Sequence, residues 1–319
     1  MTTLTALGID ISKIKFDVAL LNNGKLKNKK FTNNLQGFEN LREWLNKHDA
    51  LMSHACMEAT GIYGEALAEY LFDEGFTISV VNPARIKGFA QSELIRSKTD
   101  KIDAGLIARF CYAMKPPAWS PQPKETRLLR DLVRYLDALQ GIRQQEKNRL
   151  EAASEVIRNQ LETHISFLDA KVKEIKDLIN QHIENHSALR DRKALLATIP
   201  GIGEVTISVI LSEFGDISQF KNAKALSAFI GVAPRIRESG SSVRGRSMMS
   251  KTGRSKLRKA FFMPALVALR YNPIIKKMNV RLTAAGKPKM LIVGAAMRKL
   301  VHLIYGVLKN GEPFDVNFT

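Results

Sequence analysis

Four carboxylates stand where a charge has no packing role. Asp10 follows the apolar run Leu4 to Ile9, and Glu58 ends the run His54 to Met57 just ahead of Ala59-Thr60-Gly61. Asp100 and Asp103 lie three residues apart in Ser97-Lys98-Thr99-Asp100-Lys101-Ile102-Asp103-Ala104, a spacing that puts both on one helix face. Carboxylates are hard oxygen ligands. Two from strand ends and a pair from a helix suit Mg2+, which takes few protein carboxylates and completes its shell with substrate phosphate. Each acid also has a plainer explanation, as a turn former, a helix cap or a first-turn acid.

A second group surrounds a serine. Glu238-Ser239-Gly240-Ser241-Ser242 is a small polar turn flanked by Arg235, Arg237, Arg244 and Arg246, with Lys251 and Arg254 following in Ser250-Lys251-Thr252-Gly253-Arg254. Small polar turns are usually only turns. Guanidinium groups, however, grip phosphate through paired hydrogen bonds and stabilise charge on a pentacovalent phosphorus. None of the six histidines forms a motif with this serine, which argues against a Ser-His-Asp hydrolase.

The whole charge excess lies around that turn. Residues 221–310 hold 20 Lys and Arg against one acid, Glu238, a balance of +19, whereas the full chain carries +18. A basic block of this kind fits a polyanion, above all nucleic acid. Just ahead of it, Ile199-Pro200-Gly201-Ile202-Gly203 opens a helix with Thr206, Val209, Ile210 and Leu211 at helical spacing. Such a turn is either a plain helix-helix connection or a helix-hairpin-helix element, in which the backbone N–H groups near Gly201 and Gly203 donate to a phosphate.

The elements that must position these residues fall into three regions. Residues 4 to about 115 alternate strand and helix. Leu4–Ile9 and Phe16–Leu21 read as strands, Asn22-Asn23-Gly24 as a turn and Lys29–Thr32 as a third strand of a meander. A helix over Leu35–Asn46, a strand over His54–Met57, a helix over Tyr63–Glu74 and a strand over Thr77–Val81 follow, which makes an α/β layer. Residues 125–192 are long helix. Leu129, Leu132, Leu136 and Leu139, then Ile165, Leu168, Val172, Ile175 and Ile179, make one stripe on each of two segments. The stripes fit an internal antiparallel hairpin or a coiled-coil arm that joins subunits. The remainder is mainly helical, with helices expected over Lys256–Arg270 and Met290–Leu308.

Composition excludes several classes. A chain of 319 residues with 45% hydrophobic and 25% charged residues is globular rather than disordered. Cys56 and Cys111 offer neither a disulfide framework nor metal-ligand spacing, and read as core residues of a protein in a reducing cytosol. The first apolar run is broken by Asp10, Lys13 and Lys15, and no other apolar stretch reads as long enough to span a membrane.

Gly8-Ile9-Asp10-Ile11, Met57-Glu58-Ala59-Thr60-Gly61, Asn82-Pro83, Lys98 to Ala104, Ile199 to Gly203 and Glu238 to Gly245 together resemble the DEDD insertion-sequence transposases. That family is related to the Piv DNA invertases and includes the bridge-RNA-guided recombinases. The resemblance runs from Leu7 to Phe314. It implies a RuvC-like, ribonuclease H-like N-terminal domain (1–120), a helical coiled-coil arm (121–192) and a C-terminal transposase domain (193–319). By motif position Asp10, Glu58, Asp100 and Asp103 would bind Mg2+, with Mn2+ as a substitute, and Ser239 would be the nucleophile. The implied reaction is strand cleavage through a phosphoserine intermediate, then strand exchange, at an active site shared between subunits. The implied partners are donor and target DNA, a non-coding bridge RNA and further copies of the chain, as a dimer or as a tetramer in the synaptic complex, in the bacterial cytoplasm without a membrane. Two rivals remain on the residues alone. One is a metal-only nuclease or junction resolvase in which Ser239 merely contacts phosphate, and the other is a non-catalytic nucleic-acid-binding protein.

Overall fold

The computed structural model describes residues 5–59, 61–94, 100–235, 238–239, 243–244 and 248–317; for Ile62, Asp100, Lys101, Glu238, Ser239, Val243 and Arg244 it describes the backbone alone. The chain divides into two compact units, Met1–Pro121 and Gln122–Thr319.

The first unit is built on a sheet. Strands β1 (Ala6–Ile11), β2 (Lys15–Asn22) and β3 (Lys25–Thr32) form an antiparallel meander. Helix α1 (Leu35–Asn46) leads to β4 (His54–Glu58), and α2 (Glu65–Asp73) leads to β5 (Ile78–Val81). Both of these strands lie parallel to β1, as helical crossovers allow, and the order is β3-β2-β1-β4-β5. Helices α3 (Pro83–Ser92) and α4 (Asp100–Met114) complete the unit. Alternation along β1 sends Leu7 and Ile9 into a core shared with Phe38, Leu41 and Leu45 of α1 and Leu67 and Leu71 of α2. The opposite face carries Ala6 and Cys56 against Ile107 and Phe110 of α4.

Strand β3 begins four residues earlier than its pattern suggests. Asn23 and Gly24 have φ of 48° and 75°, the two positive values of a type I′ turn, so pairing resumes at once with Asn22 opposite Lys25. Lys25, Lys27, Lys29 and Lys30 are all exposed along this edge strand, and Lys25 to Asn28, with Leu26 alone apolar, lacks the apolar alternation that would mark its first half as strand.

The second unit is mainly helical. Helices α5 (Lys124–Glu151) and α6 (Glu155–Glu184) form an antiparallel hairpin. His182 Nε2 lies 2.8 Å from the Glu125 carbonyl oxygen, and Arg143 Nη1 donates to Asp169 Oδ1 at 2.8 Å. Leu129, Leu136 and Leu139 pack with Leu168, Val172, Ile175 and Ile179 within one chain, so the two stripes are an internal hairpin core rather than a seam for a second subunit. That core continues through α7 (Ser187–Ala197), α8 (Glu204–Phe214) and α9 (Ala223–Ile230). Four two-residue strands follow: β6 (Pro234–Arg235), β7 (Glu238–Ser239), β8 (Val243–Arg244) and β9 (Met248–Met249).

The chain ends in α10 (Ser255–Ala260), α11 (Phe262–Tyr271), α12 (Pro273–Ala284) and α13 (Lys289–Asn310). The helix expected over 256–270 is thus broken at Phe261, which closes α10 and precedes α11. The expectation about membrane-length stretches also needs correction. Helix α13, 22 residues long, is apolar enough to cross a membrane by length and composition alone. Its Ile292, Val293, Ala296, Leu300, Val301 and Ile304 are buried in the core of the second unit, which accounts for that apolarity.

The hairpin core gives a direct expectation. Leu168 is 3% exposed, so Leu168→Ala should cost about 2–5 kcal/mol in urea unfolding, the range for deleting a packed leucine side chain. Its neighbour Phe167 is 59% exposed, and Phe167→Ala should change stability by no more than about 0.5 kcal/mol.

Candidate active site

Two of the carboxylates lie near one end of the first unit's sheet. Ile9 pairs with Met57, so the next residues in register are Asp10, one residue before the end of β1, and Glu58, the last residue of β4. Open α/β sheets bind ligands at this end, where strands stop and loops begin. Both acids are half-buried, as is Asp103 in the first turns of α4. All three engage neighbouring groups. Asp100 starts α4, and its side chain lies outside the described residues, together with Ser97, Lys98 and Thr99.

Gly8 explains why α4 comes so close. A Cβ there would overlap the Ala104 carbonyl oxygen and the Ala108 amide nitrogen, and would stand 2.9 Å from Ala108 Cα. The helix backbone therefore lies directly on β1, where the buried side chains of the local core are Ala19, Ala104 and Ala108, with Leu21 and Leu26 packed against them. Strand alternation puts Asp10 on the same face as Gly8. One turn of α4 toward its N-terminus from Ala104 lies Asp100, and Asp103 immediately precedes Ala104.

A further acid shares this face and was missed in the sequence. Asp17 of β2 is directly opposite Asp10, and Lys30 of β3 is opposite Asp17. Like charges directly opposed across strands are unfavourable, and the Lys30 ammonium 3.5 Å from the Asp17 carboxylate offsets part of that repulsion. The signal was present, since Asp17 interrupts the otherwise apolar alternation of Phe16 to Leu21. Cys56 and Cys111 are buried free thiols behind this end, and Cys111 Sγ donates to the His54 carbonyl oxygen at 3.3 Å. Its hydrogen bond with Cys111, with burial added, pushes the Cys56 thiol above its ordinary range, which suits a core residue.

The donor set is oxygen-rich and all-carboxylate, which fits a hard divalent cation in type and in its place on the sheet. Among the described residues no three His, Cys, Asp or Glu side chains are grouped closely enough to hold a metal ion.

In the second unit, Ser239 sits on a pair of nested hairpin ladders. Arg235 of β6 is opposite Met248 of β9, and Glu238 and Ser239 of β7 are opposite Arg244 and Val243 of β8. Ser239 is thus the last described residue of β7, opposite Val243, and Arg244 lies across from its neighbour Glu238. Arg237, Gly240, Ser241, Ser242 and Arg246 lie outside the described residues. Arg235, Lys251 and Arg254 are all exposed, and Arg254 also makes contacts within the unit. It pairs with Glu213, which Arg134 also approaches at 3.8 Å, and its guanidinium lies 4.7 Å from the centre of the Phe229 ring. The Pro-Gly-x-Gly turn joins α7 to α8. Gly201 has φ of 103° and a Cβ there would stand 2.8 Å from Ala268 Cβ, so that glycine serves packing against α11. Gly203 is exposed and forms the N-cap of α8.

Comparison with known proteins covers both units. The DEDD transposase model of the IS110 group, described as "Transposase", matches residues 7–157, and the model "Transposase IS116/IS110/IS902 family" matches residues 193–279. The pilin gene-inverting proteins of Moraxella bovis and Moraxella lacunata are each 37% identical over 315 residues, which is 98% of this chain and 98% of theirs. The transposase for insertion sequence element IS1328 of Yersinia enterocolitica is 24% identical over 237 residues, 63% of this chain and 66% of its own length. Similarity along the whole chain to proteins of this kind makes the chain a DNA transposase or recombinase. The two matched segments between them carry every acid discussed above and the Ser239 ladder. The chain belongs to the IS110-type DEDD transposases. Membership implies dependence on a divalent metal ion.

The approach at Gly8 can be tested by a pair of substitutions. Gly8→Ala forces α4 away from β1 and should lower stability by about 1–3 kcal/mol or more, with loss of strand cleavage. Gly105→Ala, whose Cβ would meet only Leu26 Cδ1 at 3.4 Å, should hold or raise the melting temperature, because alanine favours helix.

Proposed function

We propose that this chain cuts DNA by attack of Ser239 on a phosphodiester, retains the strand as a phosphoserine, and rejoins it to a new partner strand. Phosphorus gains a bond to the serine oxygen and loses one to a deoxyribose oxygen, which takes up a proton. The high-energy link is kept in the phosphoserine, so resealing by the reverse attack needs no external energy source. The observation that supports this most is the ladder that pairs Ser239 with Val243 and places Arg244 opposite Glu238, within a stretch of 20 basic residues and one acid. A serine hydroxyl is a weak nucleophile at its free pKa and needs activation, and cations must offset the charge of the phosphorane.

Asp10, Glu58, Asp100 and Asp103 would hold Mg2+, or Mn2+ in its place. When bound, such an ion supplies Lewis-acid stabilisation to phosphate oxygens and lowers the pKa of a coordinated hydroxyl. The RuvC-like reading of the first unit is supported by its five-stranded mixed sheet with carboxylates at the ends of β1 and β4. The exposed basic residues 221, 224, 235, 251, 256 and 259 would track the backbones of donor and target DNA, and of a bridge RNA where one is used. Strand exchange requires more than one subunit. Leu128, Tyr135 and Ile142 lie exposed at heptad spacing along α5, which supports a self-associating face. The 37% identity to pilin gene-inverting proteins over 98% of both chains favours a second reading, in which the same chemistry inverts a DNA segment in place of moving an insertion sequence.

Two variants separate binding from chemistry. Asp103→Asn should abolish strand cleavage in Mg2+ while DNA affinity, measured by gel shift, stays within about twofold, since affinity rests on phosphate contacts. A wild-type cleavage rate would remove Asp103 from the metal set. Ser239→Ala should eliminate the protein-DNA adduct seen on denaturing gels of labelled DNA stopped during reaction, and with it recombination. Ser241→Ala and Ser242→Ala should retain the adduct. Efficient strand exchange by Ser239→Ala would favour a nuclease that uses metal alone.

A further inference from the structure

Three large apolar side chains are exposed at the carboxylate end of the first unit: Ile14 (77%), Leu35 (63%) and Tyr63 (45%). They come from different segments. Ile14 is in the turn between β1 and β2, Leu35 is the first residue of α1, and Tyr63 is in the 3-10 turn Ile62–Gly64 that follows β4. One residue holds the three segments together. The Asn33 amide N–H donates to the Ile14 carbonyl oxygen at 2.8 Å, and its Nδ2 donates to the carbonyl oxygens of Ser12 at 2.9 Å and Tyr63 at 3.0 Å.

The corner that carries Asn33 is itself fixed. Asn34 Oδ1 accepts from the Gly37 amide and from Thr32 Oγ1, each at 2.9 Å, and caps α1. A Cβ on Gly37 would overlap the Thr32 carbonyl oxygen, so the chain turns there as tightly as glycine permits. On the other side, Gly64 is buried, with Met57 Sδ 3.3 Å from where its Cβ would stand. The three apolar side chains therefore stand on backbone that is tied in place, and the two strands that precede Ile14 and Tyr63 are those that carry Asp10 and Glu58 near their ends.

Exposed apolar residues scattered singly are ordinary, but three carried on segments that one residue ties together form a candidate contact surface. Three side chains are too few for a stable protein interface, which takes about 800 Å2 from each partner. They match the flat face of one or two nucleotide bases, and aliphatic and aromatic side chains are what proteins use to stack or part bases. The exposed Lys13 beside Ile14 supplies a cation for the adjoining phosphate.

We propose that Ile14, Leu35 and Tyr63 form a platform that stacks an unpaired base of the DNA strand beside the carboxylate site. Asn33 is the positioning residue that holds the platform together. The inference rests on reading Asp10 and Glu58 as part of the DNA-cleaving site. It adds that the strand handled there has at least one base out of its duplex, so that local unpairing belongs to substrate recognition.

The test uses the full chain and an oligo-dT strand that carries 5-iododeoxyuridine, irradiated in EDTA so that no cleavage is needed, with the cross-linked peptide mapped by mass spectrometry. The expected adduct falls within residues 12–14, 33–35 or 61–64. Tyr63→Ala should lower its yield at least tenfold and weaken the platform's hold on the strand by roughly 5- to 150-fold, the effect of removing one base-aromatic stack. Tyr63→Phe should preserve the adduct, and both variants should keep the wild-type melting temperature because Tyr63 is largely exposed. An adduct found only in the second unit, or an unchanged yield with Tyr63→Ala, overturns the platform. If the adduct forms as expected but Asp10→Asn still cleaves DNA, the platform stands and the reading of the carboxylate site falls.

Discussion

Backbone lies on backbone where α4 crosses β1, and the first unit depends on that approach. A strand in a packed core normally keeps a helix at a distance set by its side chains. Here Gly8 has none, and the buried side chains of the local layer are the methyl groups of Ala19, Ala104 and Ala108, bordered by Leu21 and Leu26. Because the helix begins at Asp100 and reaches β1 by Ala104, the depth of the crossing decides where Asp103 stands relative to the strand ends that carry Asp10 and Glu58. A carboxylate site spread over two strands and a helix has no covalent means of keeping its members together. Packing geometry supplies it, and dispersion contacts in so close a layer are lost steeply with small separations.

A similar tightness fixes the base of the serine hairpin in the second unit. Gly253 (φ 146°) leaves room for the end of α9, where a Cβ would stand 2.6 Å from both the Gly231 amide nitrogen and the Phe229 carbonyl oxygen. The next residue, Arg254, donates its amide to the same Phe229 carbonyl at 3.1 Å and pairs with Glu213 of α8. Arg258 Nη1 donates to the Lys251 carbonyl oxygen at 3.1 Å. The basic block therefore contains two kinds of cation. Some, such as Arg254 and Arg258, hold the second unit's own elements in register. Others, such as Arg235 and Lys251, are exposed on its surface, as Arg254 also is, and Lys256 lies 3.7 Å from Asp137.

Much of this was legible in the residues, and the rest was hidden for identifiable reasons. The strands that carry Asp10 and Glu58 showed because each is an apolar run stopped by one acid, and the α5–α6 hairpin showed because its leucines and isoleucines keep a helical period. The same period could not say whether the partner stripe belongs to the same chain, since a stripe records only that something apolar covers it. Asp17 was concealed because its significance comes from cross-strand register, which pairs it with Asp10 from seven residues away. The ladders of β6 to β9 have two described residues each, too short for any alternation to register, and Pro234 and Glu238 are poor strand formers. The pairing of Arg254 with Glu213 was hidden because the two stand 41 residues apart and charge alone does not disclose a partner at that distance.

Strand β3 ends the sheet with an unpaired edge, and an unpaired edge is a template on which another chain's strand can grow. Lys25, Lys27, Lys29 and Lys30 line that edge, so two copies meeting there would bring like charges face to face. A protein that works on DNA is concentrated locally with other copies of itself, held by the same polyanion. The lysines keep that crowding from turning into polymerisation through the sheet, and leave the edge open only to partners of opposite charge.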